Sequence, residues 1–305
     1  MNRWITYQHE RFPLLAHAPL VAAFSASAVC FSRLVRGADG LPAPRSLLVA
    51  FVTALLFFLQ LRISDEFKDF EDDARYRPYR PVPRGLVSLR ELGWVGIAAA
   101  LLQLALALWL EALLVWLLVL AWLYLALMSR EFFVPDWLKA RPSAYLASHM
   151  VIIPLIDLYA TACDWLVAGH SWPPVGLYWF LMVSYFNGIV VELGRKIRSP
   201  QDEEPGVETY TALWGRTIAV TLWITAIAVT ALVAWQAAAR IQFDRPVIAI
   251  LVVLVGSCSV VCVRFFRTSA KGAGKSLEIA SGIWTLLMYL SLGALPALLG
   301  VRPAP

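Results

Sequence analysis

The sequence predicts an all-α, polytopic membrane protein with about nine transmembrane helices around a central cavity, and three observations carry that prediction. Hydrophobic residues make up 60% of the 305 residues and charged residues only 15%, where soluble domains carry about 25% charge. The mean hydropathy is +0.67. The apolar residues also gather into runs that approach or exceed the roughly 20 residues a helix needs to cross the hydrocarbon of a bilayer.

The runs follow one another with polar breaks. Met1 to Arg11 is polar and shows no cleavable signal, and the first apolar run, 12–34, is long enough to stay in the membrane. The others are 46–63, 89–109, 112–128, 143–163, 174–193, 217–238, 246–266 and 277–300. Pro13, Pro19 and Pro154 lie in or near these runs, which membrane helices tolerate because neighbouring groups satisfy the freed backbone. Short connections join the third run to the fourth and the fifth to the sixth. Longer polar loops follow the second, fourth, sixth and eighth. One of them, 130–141, mixes aromatics with charges as an interfacial stretch does.

Lysine and arginine divide unevenly between the two sides. Only Arg33, Arg36, Arg45, Arg240, Arg245 and Arg302, six of the 26, fall on the side opposite the amino terminus and the longer loops. The positive-inside rule then makes the amino terminus and those loops cytoplasmic, as expected of a multi-pass protein of the cell inner membrane; Arg33, Arg36 and Arg45 run against the rule. No soluble domain interrupts the pattern, so 1–305 reads as a single transmembrane domain. Loop arginines account for the net charge of +5, with no nucleic-acid partner implied and no obligate protein partner evident. Cys30, Cys163, Cys258 and Cys262 lie in or beside apolar runs. Cys258 and Cys262 share a helix face, but two thiolates without further ligands make no metal site, and all four read as buried structural thiols.

Chemistry concentrates in two loops on one side. Asp65-Glu66-Phe67-Lys68-Asp69-Phe70-Glu71-Asp72-Asp73 places six carboxylates within nine residues, followed by Arg75, Arg77, Arg80, Arg84 and Arg90. On a continuous helix Glu66, Asp69 and Asp73 would point within about 60° of one another. Such a cluster attracts divalent metal, and metal attracts phosphate. The second concentration, Glu192 to Tyr210, contains Arg195, Lys196, Asp202 and Glu203. Two acid-rich loops facing each other over a membrane cavity would cage a diphosphate and its metal ions. Arg and Lys would take the remaining oxygens, with a hydrocarbon tail between the helices.

These residues resemble the UbiA superfamily of intramembrane prenyltransferases. Asp65, Glu66, Asp69 and Asp73 stand at the spacings of its first motif, Asn-Asp-x-x-Asp-x-x-x-Asp, with Asp for Asn and Glu for Asp. Pro78, Arg80, Pro81, Val82 and Gly85 follow as in its Pro-x-Arg-Pro-Ile/Val-x-x-Gly. In the second motif Glu192 takes the opening acidic position, but Lys196 stands where an acid or small polar residue is common. Asp202 and Glu203 precede Gly206, Thr209 and Gly215. The resemblance implies Mg²⁺-dependent transfer of a prenyl group from a polyprenyl diphosphate to an aromatic or other lipophilic acceptor within the bilayer. It makes Asp65, Glu66, Asp69 and Asp73 the first metal set and Glu192, Asp202 and Glu203 the second. Arg80, Lys196 and Arg195, with Lys68, become diphosphate contacts; Asp69, Asp73, Arg80 and Lys196 carry the catalysis. Tyr185, Phe186 and Tyr159 would shelter a carbocation.

Lone polar residues inside the runs complete the candidates. Asp157 is a functional candidate because an ionisable group within a span is costly, although it could also cap a helix broken after Pro154. Asn187 lies about one and a half turns before Glu192 and lines the expected cavity. His17 and His149 could act as bases for an acceptor proton or simply pack between helices. Two other functions compete: a terpene cyclase on the same scaffold, which needs no acceptor, and a membrane transporter. Against transport, the acids cluster in loops and at helix ends, and no inverted repeat is evident.

Overall fold

A computed structural model describes residues 2–301, and those residues form helices, turns and loops with no strand among them. The helices are α1 (Arg3–Arg11), α2 (Leu14–Val35), α3 (Pro44–Lys68), α4 (Phe70–Tyr76), α5 (Leu89–Leu110), α6 (Leu114–Ser129) and α7 (Pro135–Lys139). After these come α8 (Pro142–Met150), α9 (Ile152–Trp165), α10 (Leu177–Arg195), α11 (Tyr210–Arg240), α12 (Asp244–Arg267), α13 (Lys275–Leu292) and α14 (Ala294–Leu298). Eight helical segments are long and apolar enough to cross a membrane; α8 with α9, and α13 with α14, count as one each. The chain is thus a multi-pass membrane protein. The ninth expected crossing, α6, has 16 residues, short of a full crossing because residues 111–113 form a turn. Arg302 lies outside the described residues.

Local chemistry sets the helix ends. Ser88 and Glu91 form a reciprocal capping box that opens α5. Pro154 cannot donate to the carbonyl four residues before it, and the break between α8 and α9 falls at Val151, just upstream. α11 begins seven residues earlier than its apolar run and bends at Gly215 (φ 78°, ψ 161°).

Four helices, α2, α9, α10 and α13, pack in a closed ring, α2 on α9, α9 on α10, α10 on α13 and α13 on α2. α3 lies outside it against α2 and α9, and α6 against α9; α5 packs on α3 and α6, and α11 and α12 flank α10 and α13. Towards the end of the ring far from the acid-rich loops, aromatic rings fill the interior. Phe31 stacks on Phe180 at 4.7 Å, Phe180 meets Tyr289 at 5.9 Å, and Tyr289 meets Phe24 edge-on at 5.1 Å. The bundle is closed by these rings at one end and carries its polar loops at the other.

Candidate functional site

The first acidic motif does not lie on one continuous helix. α3 ends at Lys68, Asp69 has φ −91° and ψ 6°, and α4 begins at Phe70. The shared face of Glu66, Asp69 and Asp73 expected from their spacing is therefore broken. The three carboxylates occupy different settings. Glu66 is buried and ion-paired to Arg11 of α1. Asp73 is buried and gripped by Arg77 and Arg80, each at 2.6 Å. Among the described residues Asp69 has no ion-pair partner; burial first, then the carboxylate of Asp65, hold its carboxyl above the usual carboxylate range. Asp65 forms an ion pair with Arg62 at 3.4 Å.

The amino-terminal helix is part of this arrangement. Arg3 pairs with Glu91 at 2.6 Å, Glu10 with Arg84 at 2.9 Å, and Arg11 with Glu66, which lays α1 across the first motif. The following Arg-Pro-Val-Pro-Arg-Gly segment folds into consecutive turns, with Arg84 N–H donating to the Arg80 carbonyl and Leu86 N–H to that of Pro81. Lys68 donates to the Tyr145 hydroxyl and pairs with Glu131 at 2.8 Å.

At the end of α10 the second motif is a cation clamp. Glu192 is held by Arg195 at 2.6 Å and by Lys196 at 2.9 Å, and Lys196 lies 5.7 Å from the centre of the Tyr210 ring. Asp202 and Glu203 do not join it. Asp202 accepts from Ser199 at 2.6 Å and from the Gly272 N–H at 2.7 Å, contacts that hold its carboxylate below its ordinary range. Glu203 accepts from Thr209 and Thr211, both at 2.7 Å. The expected second metal set of Glu192, Asp202 and Glu203 is thus not gathered, because the loop uses two of its acids to hold itself together. No group of three or more His, Cys, Asp or Glu side chains among the described residues is placed to hold a metal ion.

The two loops nevertheless meet. Gly206, at φ 74°, packs its backbone on the ring of Tyr76, where any Cβ would overlap the ring. Asp65 and Arg195 are within electrostatic reach of each other, as are Arg62 and Arg195. Beneath this surface runs a buried polar chain. The Trp284 indole donates to Asn187 at 3.1 Å, and Ser184 donates to Asp157, whose other carboxyl oxygen has no partner. Tyr185 donates to the Ala147 carbonyl at 3.2 Å, which ties α10 to α8. His17 stacks on Phe12 and bonds the Pro13 carbonyl, a local packing role. The four cysteines are buried and free.

Sequence reasoning missed Arg11, Arg62, Arg77, Glu131 and Tyr145. Arg77 and Arg62 lay within the motif's own charge pattern and could have been singled out from spacing; Arg11, Glu131 and Tyr145 arrive from distant segments and leave no local signal.

The UbiA prenyltransferase family profile matches residues 22–286. No curated protein sequence matches the chain. Among solved structures, the apo UbiA homologue from Aeropyrum pernix K1 superposes with a TM-score of 0.68 at 12% identity, covering 89% of this chain and 96% of that one. A digeranylgeranylglyceryl phosphate synthase gives 0.59 at 13% identity, covering 96% and 99%. A UbiA homologue from Archaeoglobus fulgidus bound to DMAPP and Mg²⁺ gives 0.55 at 13% identity, covering 94% and 98%. At such identities the likeness is one of fold.

Proposed function

The chain belongs to the UbiA prenyltransferase family, and from that premise we propose that it transfers a prenyl group from a polyprenyl diphosphate to a lipophilic acceptor within the bilayer, as a single transmembrane domain with its motif loops in the cytoplasm. The observation that carries this reading is the meeting of two charged loops at the open end of an apolar bundle, through Gly206 on Tyr76 and through the reach of Arg195 to Asp65. A diphosphate needs fixed cations at the membrane surface, and the two loops carry Arg77, Arg80, Arg195 and Lys196.

The chain's own cations are already oriented. Asp73 holds Arg77 and Arg80, Glu192 holds Arg195 and Lys196, and Glu131 with Tyr145 holds Lys68. Each cation keeps further N–H donors for phosphate oxygens. Donors fixed before the reaction stabilise the departing diphosphate without reorganising during it. Tyr185 and Phe186 lie edge to face at 5.3 Å on the helix that carries Glu192, where their rings can shelter an allylic cation.

The first motif suits a divalent ion such as Mg²⁺: its donors are all oxygen, and Asp69 and Asp65 are the two acids without a tight cation partner. Bound there, the ion would neutralise phosphate oxygens and favour cleavage of the allylic C–O bond. The end of α10 does not suit one, since Arg195 and Lys196 already neutralise Glu192; we assign those two residues directly to the diphosphate. The test is incubation of the purified protein with Mg²⁺ and geranyl diphosphate, with and without a lipophilic phenolic extract. Pyrophosphate release that depends on the extract is expected. Release with a cyclised hydrocarbon and no extract would make it a cyclase, and no release in either condition would refute both.

A further inference from the structure

Next to the first motif lies a histidine that the proposed diphosphate site does not use. The His149 ring stacks on Tyr145 at 3.8 Å and meets Phe132 edge-on at 5.8 Å. Its Nδ1 lies 2.9 Å from the Tyr145 carbonyl. A carbonyl can only accept, so Nδ1 carries the proton and the lone pair is on Nε2. His149 is 8% exposed, and Nε2 has neither solvent nor a hydrogen-bond partner. Leaving such an acceptor unpaired is costly.

The segment that covers the histidine is strained as well. Glu131, Phe132 and Phe133 all have positive φ, 50°, 52° and 60°, a left-handed turn that disfavours residues with a Cβ. The turn sets Glu131 on Lys68 and Phe132 against His149. Strain of this sort persists where surrounding contacts enforce it, and it clusters at ligand sites. The charged groups in reach of the imidazole are Lys68 of α3, Glu131 of the turn and Glu192 of α10. His149 therefore stands between the two motifs, at the break where α8 gives way to α9.

We infer that His149 is the base of the transfer step, its Nε2 taking the proton of a hydroxyl-bearing acceptor. This rests on the prenyl-transfer reading. The allylic C–O bond breaks with its electron pair leaving on the diphosphate, and the acceptor oxygen forms the new bond to that carbon. The hydroxyl proton passes to Nε2, and the imidazolium returns it to water that enters as the products leave. The stacked Tyr145 ring fixes the imidazole plane.

The test compares wild type with His149→Gln and His149→Ala, using geranyl diphosphate, Mg²⁺ and two hydroxyl probes, phenol and a long-chain primary alcohol, in separate arms that distinguish aromatic from aliphatic acceptors. The Gln amide can still donate to the Tyr145 carbonyl, so a purely structural role would survive that change. The expected result is a fall in kcat of about 100-fold or more in both variants, binding of geranyl diphosphate unchanged within about twofold, and partial rescue of His149→Ala by added imidazole. Equal kcat in wild type and His149→Gln overturns the inference, as does a parallel loss of diphosphate binding. Absence of product from wild type in both arms overturns the prenyl-transfer reading itself and takes this inference with it.

Discussion

Asp69, Asp73 and Glu66 belong to one motif but face different substitution costs. Asp73 holds two arginines whose side chains are 15% and 20% exposed, so Asp73→Ala strands two half-buried cations and should lower stability by about 2–3 kcal/mol, a discounted value for partial solvent screening. Glu66→Gln strands Arg11 at a more enclosed pair and should cost about 3 kcal/mol. Asp69 supports no cation. Asp69→Asn should leave the melting temperature of Mg²⁺-free protein unchanged or slightly raised, since it removes a crowded charge, while turnover falls by about 100-fold or more. Thermal unfolding with and without Mg²⁺ checks the distinction. Wild-type turnover in Asp69→Asn, or a large loss of stability, would remove Asp69 from the metal assignment.

At the scale of elements, the site is made by helix ends and the loops beyond them. Lys196 follows the last residue of α10 and takes one side of Glu192. Lys196→Asp would exchange a fixed cation for an acid beside Glu192, creating the carboxylate pair that a metal needs. The variant should keep some activity and show a steeper Mg²⁺ dependence, and an unaltered Mg²⁺ profile would count against direct diphosphate binding by Lys196. Gly206 bears on how the two loops join. Its φ of 74° and the Tyr76 ring against its backbone both exclude a side chain, so Gly206→Ala should cost about 1–2 kcal/mol in a left-handed position. It should also reduce affinity for geranyl diphosphate by separating the loops, measurable by calorimetry. The motif spacing and apolar runs made these elements legible in the sequence. The break at Asp69 was not, because periodicity assumes the helix continues; nor was the use of Asp202 and Glu203 as loop anchors, which depends on the chain bringing Thr209, Thr211 and Gly272 against them.

For the whole molecule, the question is whether the bundle is a chamber or a passage. The positive-inside rule predicts a cytoplasmic motif side, a prediction that labelling tests, and the buried native cysteines leave a clean background for it. Glu204→Cys in the second motif loop and Trp172→Cys in the opposite loop should react with a membrane-impermeant maleimide from opposite sides, Trp172→Cys from outside intact cells; the reverse pattern would invert the topology. A transporter would need a polar route continuing from the motifs to that far side. Instead the Tyr289 hydroxyl joins Asn187 to Ser184, which donates to Asp157, and the Tyr289 ring packs against Phe24 and Phe180, with Phe31 stacked on Phe180 beyond. Crossing that plug would strip a diphosphate or a hydrated ion of its partners in an apolar layer, at a cost of several kcal/mol per unsatisfied group. Proteoliposomes containing the protein should therefore retain labelled pyrophosphate and monovalent cations as well as empty vesicles do, while geranyl diphosphate added on the motif side is consumed. Pyrophosphate or cation flux that depends on the protein would show the rings to be a gate and reopen the transport reading.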